Sequence, residues 1–125
     1  MEKQKICIIG GSLTGLVTAL SLSKLNCEID LITGNLKKSF KSTRTIALSN
    51  HNFRFLDTLN ISKFLEKNLW ICSKMKLYTE TKFGKFSEIF ELNKESKDEN
   101  IFYILKNSKI INLMLGKIKK TKRIS

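Results

Sequence analysis

The chain has 125 residues, below the roughly 150 of an average domain, which limits it to one domain or a piece of one and excludes a multidomain enzyme. Hydrophobic residues make up 42% and charged residues 27%, enough apolar material for a core and too much for a disordered polyelectrolyte. The formal net charge is +12, but only three of the 23 basic residues are Arg; bidentate recognition of phosphates and base edges favours Arg, so the excess reads as a Lys-rich solvated surface and argues against a nucleic-acid interface.

In chain order, Lys3 and Lys5 precede eighteen uncharged residues, Ile6 to Ser23, which superficially fits a secretory leader. Gly10, Gly11, Ser12, Thr14 and Gly15 interrupt that stretch and speak against both a leader and a membrane-spanning helix. Residues 5–9 form a short β-branched apolar run, as expected of a central parallel strand covered on both faces. After the glycine turn, Leu13, Leu16, Val17, Leu20 and Leu25 recur at helical spacing, and Asn26 is a plausible end. Residues 28–33 read as a second strand, completing a βαβ unit of about thirty residues. Residues 35–45 are polar and basic and read as a loop.

Ser49 can cap a helix over about residues 50–59 and Ser62 another over about 63–69. Residues 74–81 and 85–92 alternate around Phe83-Gly84 as an antiparallel hairpin. Residues 93–100 read as a charged loop, 102–105 as a strand and 108–118 as a helix. The last 25 residues carry seven basic and no acidic side chains, and residues 117–125, with no apolar pattern, read as a frayed basic tail. Cys7, Cys27 and Cys72 show no CxxC spacing, so neither a disulfide framework nor a thiolate zinc site is indicated and a reducing cytoplasm fits. His51 is the only histidine, which leaves no His-pair metal site.

The chemistry is concentrated in Gly10-Gly11-Ser12-Leu13-Thr14-Gly15, placed between a buried strand and an amphipathic helix. A dinucleotide turn needs an unobstructed tight bend at Gly10, close backbone approach to a pyrophosphate near Ser12, and tight strand-to-helix packing at Gly15. Unpaired amides and the positive end of the helix dipole then stabilise the anion without a basic side chain. Two positions depart from the G-x-G-x-x-G pattern. Ser12 replaces the middle glycine, and Thr33 stands where an acidic residue would bind the adenosine ribose, a loss of about tenfold in affinity when a charged hydrogen bond becomes a neutral one.

Ile8 to Leu16, followed by Arg44-Thr45-Ile46-Ala47-Leu48-Ser49 and by Phe55-Leu56-Asp57-Thr58-Leu59-Asn60-Ile61, resembles the start of the FAD-dependent ubiquinone-biosynthesis hydroxylases, a group of aromatic-ring flavin monooxygenases. The R-x-x-A-L-S stretch before a helix is the more distinctive part. The resemblance implies an α/β fold: a Rossmann-like βαβ FAD-binding unit with additional helices and an antiparallel hairpin, incomplete relative to the family. It implies noncovalent FAD, reduction by NAD(P)H, and hydroxylation of an electron-rich ring of a polyprenylated phenol. Gly10, Gly11, Ser12, Leu13, Thr14 and Gly15 would hold the pyrophosphate, Thr33 would occupy the ribose position, and Arg44 and Asn107 would contact the cofactor. Arg44 also suits a diphosphate through its planar, permanently charged guanidinium, whereas Asn107 is most simply a helix cap.

The later Gly-Asp motif and the substrate-pocket residues of the family are not in these 125 residues. The expectation is therefore the N-terminal portion of an FAD-binding domain, not catalytic alone: first a truncated or decayed gene product, and second a split protein completed by another chain. The expected setting is cytoplasmic, with peripheral contact to the inner membrane. Two other readings compete: a noncatalytic basic adaptor binding an anionic membrane or nucleic acid through Lys117 to Arg123, and a secreted basic peptide released after the apolar N-terminus.

Overall fold

A computed structural model describes residues 3–34, 41–96 and 99–125. The β-branched run forms β1 (Gln4–Ile9), and the glycine turn hands it to α1 (Leu13–Leu22). α1 stops three residues short of Leu25 because serine hydroxyls take over its carbonyls: Ser21 Oγ donates to Val17 O at 2.7 Å and Ser23 Oγ to Leu20 O at 2.8 Å. Such local bonds compete with helix continuation. β2 (Cys27–Ile32) then lies parallel to β1, with Gln4 opposite Cys27 and Ile9 opposite Ile32.

The next elements are β3 (Thr45–Ser49), α2 (Asn50–Thr58), the short α3 (Ser62–Leu65) with a 3-10 turn at Glu66–Asn68, and β4 (Trp70–Cys72). The hairpin strands β5 (Lys74–Glu80) and β6 (Phe86–Asn93) follow, then β7 (Phe102–Lys106) and α4 (Asn107–Ile118). Ser49 caps α2 as expected, its Oγ accepting from the Asn52 amide at 3.2 Å. The α2 C-terminus closes on Asn60, at φ 54°, with the Asn60 amide on Asp57 O at 2.8 Å and the Ile61 amide on Leu56 O at 3.0 Å. That double bond with a left-handed Asn is a Schellman stop. Ser62, expected as a cap, is instead the first residue of α3; it is buried and its hydroxyl donates to the Asp57 carboxylate.

β7 is the centre of an antiparallel sheet, flanked by β3 and β4. β3 and β4 were not expected as strands. The core gathers Leu16 and Leu20 of α1, Leu56 of α2, Leu65 of α3, Leu105 of β7, and Ile110 and Met114 of α4, all at most 4% exposed. A smaller cluster of Ala19, Cys27 and Ile29 joins α1 to the β1–β2 pair.

Two further expectations fail. β1 was read as covered on both faces, but Ile6 and Ile8 are half-buried against α1 while Lys5, Cys7 and Ile9 are exposed; Ile9 is 82% exposed. One face of the pair is bare because the helices of this chain pack on the other side. Residues 117–125 are also not a frayed tail. Lys117 and Ile118 finish α4, and Arg123 to Ser125 run parallel to β2: the Ile29 amide donates to Arg123 O at 2.9 Å, the Leu31 amide to Ser125 O at 2.8 Å, and the Ser125 amide to Ile29 O at 2.9 Å. Backbone pairing at a sheet edge needs no apolar pattern, so the basic composition concealed it. Asp30 is held below the usual carboxylate range, first by the Ser125 hydroxyl at 2.7 Å and next by Lys5 at 3.0 Å. Among the described residues, no helix is long and apolar enough to cross a membrane.

Candidate functional site

The sheet register fixes where the expected residues meet. Gly10 follows Ile9 at the end of β1, and its amide donates to Ile32 O at 2.8 Å, stitching the turn to the end of β2. Gly10 has φ +129°, a conformation that side chains resist. Gly15 faces that turn so closely that a Cβ there would stand 2.0 Å from Gly10 O. The two glycines thus shape the bend, and the helix begins immediately beyond it. Ser12 is the extended N-cap residue of α1 (φ −75°, ψ 171°), and its hydroxyl makes no capping bond. The first intrahelical bond is Leu16 N to Ser12 O at 3.0 Å. The amides of the first turn therefore have neither an intrahelical acceptor nor the Ser12 hydroxyl, the condition under which a helix start takes an anion.

The opposite wall comes from distant sequence. β3 and β7 pair antiparallel with Thr45 opposite Lys106, so Arg44, just before β3, is beside Asn107, the first residue of α4. The Asn107 amide donates to Arg44 O at 3.0 Å. Gly11, Ser12, Leu13, Thr14, Arg44 and Asn107 consequently line one pocket of about 390 Å3, with Ile46 and Ile111 adding apolar surface. None of the described lining residues is acidic, and Arg44 is their one permanent cation. The R-x-x-A-L-S stretch acquires a physical reading: Arg44 at the pocket, Thr45–Ser49 as β3, and Ser49 as the cap of α2.

Thr33 is not brought to this pocket; it follows β2, and its hydroxyl donates to Gly34 O at 3.1 Å. Sequence reasoning missed Ile46, whose five-residue strand is too short for its alternation to stand out, and Ile111, whose signal was the apolar stripe of α4. The Lys117–Arg123 patch is partly spent inside the fold. Lys117 donates to the Leu59 carbonyl and to Asn60 O at 3.3 Å, and Arg123 donates to Leu25 O at 2.6 Å and Ser23 O at 3.3 Å.

The arrangement fits a diphosphate: uncapped helix amides, a glycine bend set by the positive φ of Gly10 and the missing Cβ of Gly15, Arg44 on the same pocket, and no carboxylate among the described lining residues. Ser12 is the one misfit, since its side chain stands where the closest backbone approach is expected.

No protein-family model and no curated protein matches the chain. Solved structures do. The chain is similar to p-nitrophenol 4-monooxygenase PnpA from Pseudomonas putida DLL-E4 (19% identity, TM-score 0.70, covering 99% of this chain and 31% of that one). It is similar to a mutant of PqsL from P. aeruginosa (15%, TM-score 0.77, 99% and 33%). A third is the tetrameric form of 2-methyl-3-hydroxypyridine-5-carboxylic acid oxygenase (15%, TM-score 0.72, 100% and 32%). At these identities the likeness establishes the fold, a mixed α/β arrangement shared with part of these proteins. The chain spans about a third of their length.

Proposed function

We propose that the chain is the FAD-diphosphate-holding portion of a flavin-dependent aromatic-ring monooxygenase of the ubiquinone-biosynthesis kind. The observation that carries this reading is the convergence of the uncapped start of α1 with Arg44 and Asn107 around one pocket whose described lining has no acidic side chain. Two of the structural neighbours, an oxygenase and a monooxygenase by name, favour the same chemistry. When bound, the flavin supplies electron exchange with NAD(P)H and activation of oxygen toward an electron-rich ring, here that of a polyprenylated phenol.

The roles of this chain's residues are binding and orientation. The first-turn amides of Leu13 and Thr14 would hold phosphate oxygens, Gly10 and Gly15 would let the backbone approach, and Arg44 would neutralise diphosphate charge. Asn107 positions Arg44 through the bond between its amide and the Arg44 carbonyl. Hydroxylation also requires a closed, dry site. The face carrying Cys7 and Ile9 is exposed among the described residues, and on this reading the chain binds without turning over.

Titration with FAD, followed by flavin fluorescence and melting temperature, tests the reading. FAD binds and riboflavin, which lacks the diphosphate, does not. Arg44→Ala weakens FAD binding about tenfold, the low end for a charge-assisted hydrogen bond, while leaving the melting temperature of the free chain unchanged. Equal response to FAD and riboflavin, or none to FAD at about 100 μM, a concentration at which even weak binding registers, overturns it.

A further inference from the structure

A second concavity lies on the far side of α4 from the glycine turn. Leu113, Gly116, Lys117 and Lys120 recur along one stripe of the helix, and Ile61 and Phe64 of the α2–α3 corner stand opposite. The cleft between them measures about 370 Å3. Its walls are mostly apolar, with Asn60 and Asn112 as polar interruptions: Ile61 is buried, Leu113 packs against the core, and the Phe64 ring is 67% exposed with no aromatic partner among the described residues. Gly116 opens the cleft, since a Cβ there would meet nothing within 4 Å.

The rim is cationic. Lys117 spends two of its three ammonium hydrogens on the Leu59 and Asn60 carbonyls, where it neutralises the C-terminal end of α2. Burial, and then the like charge of Lys24, hold its pKa below the ordinary lysine value. Among the described residues Lys120 makes no ion pair and no acidic side chain lines the cleft. Mostly apolar walls ending in two ammonium groups, one of them partly engaged by carbonyls and neither paired with a carboxylate, complement one chemistry, an apolar chain that ends in an anion.

We infer that the cleft between α4 and the α2–α3 corner is a binding site for a single-chain amphiphilic carboxylate, its tail between Phe64 and Leu113 and its headgroup at Lys120 and the free hydrogen of Lys117. The site is separate from the glycine-turn pocket and stands whether or not that pocket holds FAD.

Calorimetric titration of the full chain with decanoate, decanol and butyrate tests both halves of the complementarity. Decanoate, kept below its micelle concentration, binds; decanol, without the charge, and butyrate, without the tail, bind weakly or not at all. Gly116→Leu fills the cleft and suits the helix better than glycine, so it folds and abolishes decanoate binding while FAD titration is unchanged. Lys120→Gln weakens decanoate about threefold, as expected for an exposed ion pair, and Lys82→Gln, on the hairpin turn, has no effect. Decanoate binding that survives Gly116→Leu, that decanol matches, or that Lys82→Gln weakens as much as Lys120→Gln overturns the inference. Binding only when decanoate is presented in anionic vesicles would reassign the basic groups to a membrane surface and overturn it equally.

Discussion

Met114 on α4 is fully buried, whereas every residue of β5 is exposed, although both segments mix apolar and basic residues in similar measure. The helical side folds onto itself: α1, α2, α3 and α4 share one core with Leu105 of β7, and the glycine-turn pocket opens at the edge of that core. The β5–β6 hairpin stands on its own pairing. Met75 and Leu77 oppose Leu92 and Phe90 on one face, and on the other Lys76 bridges Glu88 at 2.7 Å and Glu91 at 2.8 Å. An isolated two-stranded hairpin is marginal in water. The contrast teaches that no hairpin residue lines the pocket, and that the apolar hairpin face packs against little among the described residues.

The largest expected effect falls on the packed side. Gly15→Ala drives a methyl against Gly10 O and costs about 3 kcal/mol, at the upper end of overpacking, with loss of FAD binding. Urea denaturation together with FAD titration measures both. Met114→Ala leaves a cavity between α1 and α4 and costs about 2–5 kcal/mol; a cost below that range would mean the two halves differ less than their burial shows. On the hairpin, Phe90→Thr changes the midpoint by under about 0.5 kcal/mol, as for an ordinary surface position. A larger loss would reveal cover that the structure does not show.

The smallest effect is one of pH. Glu91 is pulled down to about 2 by Lys76, then by the Asn93 amide and Lys74, and Lys76 is raised first by Glu88 and then by Glu91. A carboxylate lowered in the folded state contributes stability that is complete above its ordinary value, 4.5, and is lost as pH falls toward 2; a raised lysine loses its contribution only in strong alkali. Hairpin amides therefore exchange with a constant protection between about pH 6 and pH 9, after correction for intrinsic rates, and lose it on acidification before the α1 and α4 amides do. Simultaneous loss in both regions would show them to be one cooperative unit.

Much of the fold was legible because its signals are local. The apolar run before Gly10, the stripe of Leu16 and Leu20, the Ser49 cap and the bend at Gly84 each sit inside a few residues, and each element forms within a few residues of where those signals lie. β3 and β4 were missed for a different reason. Five and three residues are too few for an alternation to stand out, and both are fixed by pairing with β7. Arg123–Ser125 left no trace in composition, since a strand at a sheet edge is made by amides and carbonyls that every residue owns. In the candidate site, the glycine turn was readable from its spacing. The adjacency of Arg44 and Asn107 was not, because it arises from the β3–β7 register.

The bond from the Asn107 amide to the Arg44 carbonyl makes the backbone there a gauge. It is the seam where the chain leaving β7 crosses the chain entering β3, so anything that draws the guanidinium toward the glycine turn tugs on the first residue of α4. Deuterium uptake at that single amide should slow when a diphosphate ligand arrives, reporting occupancy without a chromophore, a label or turnover.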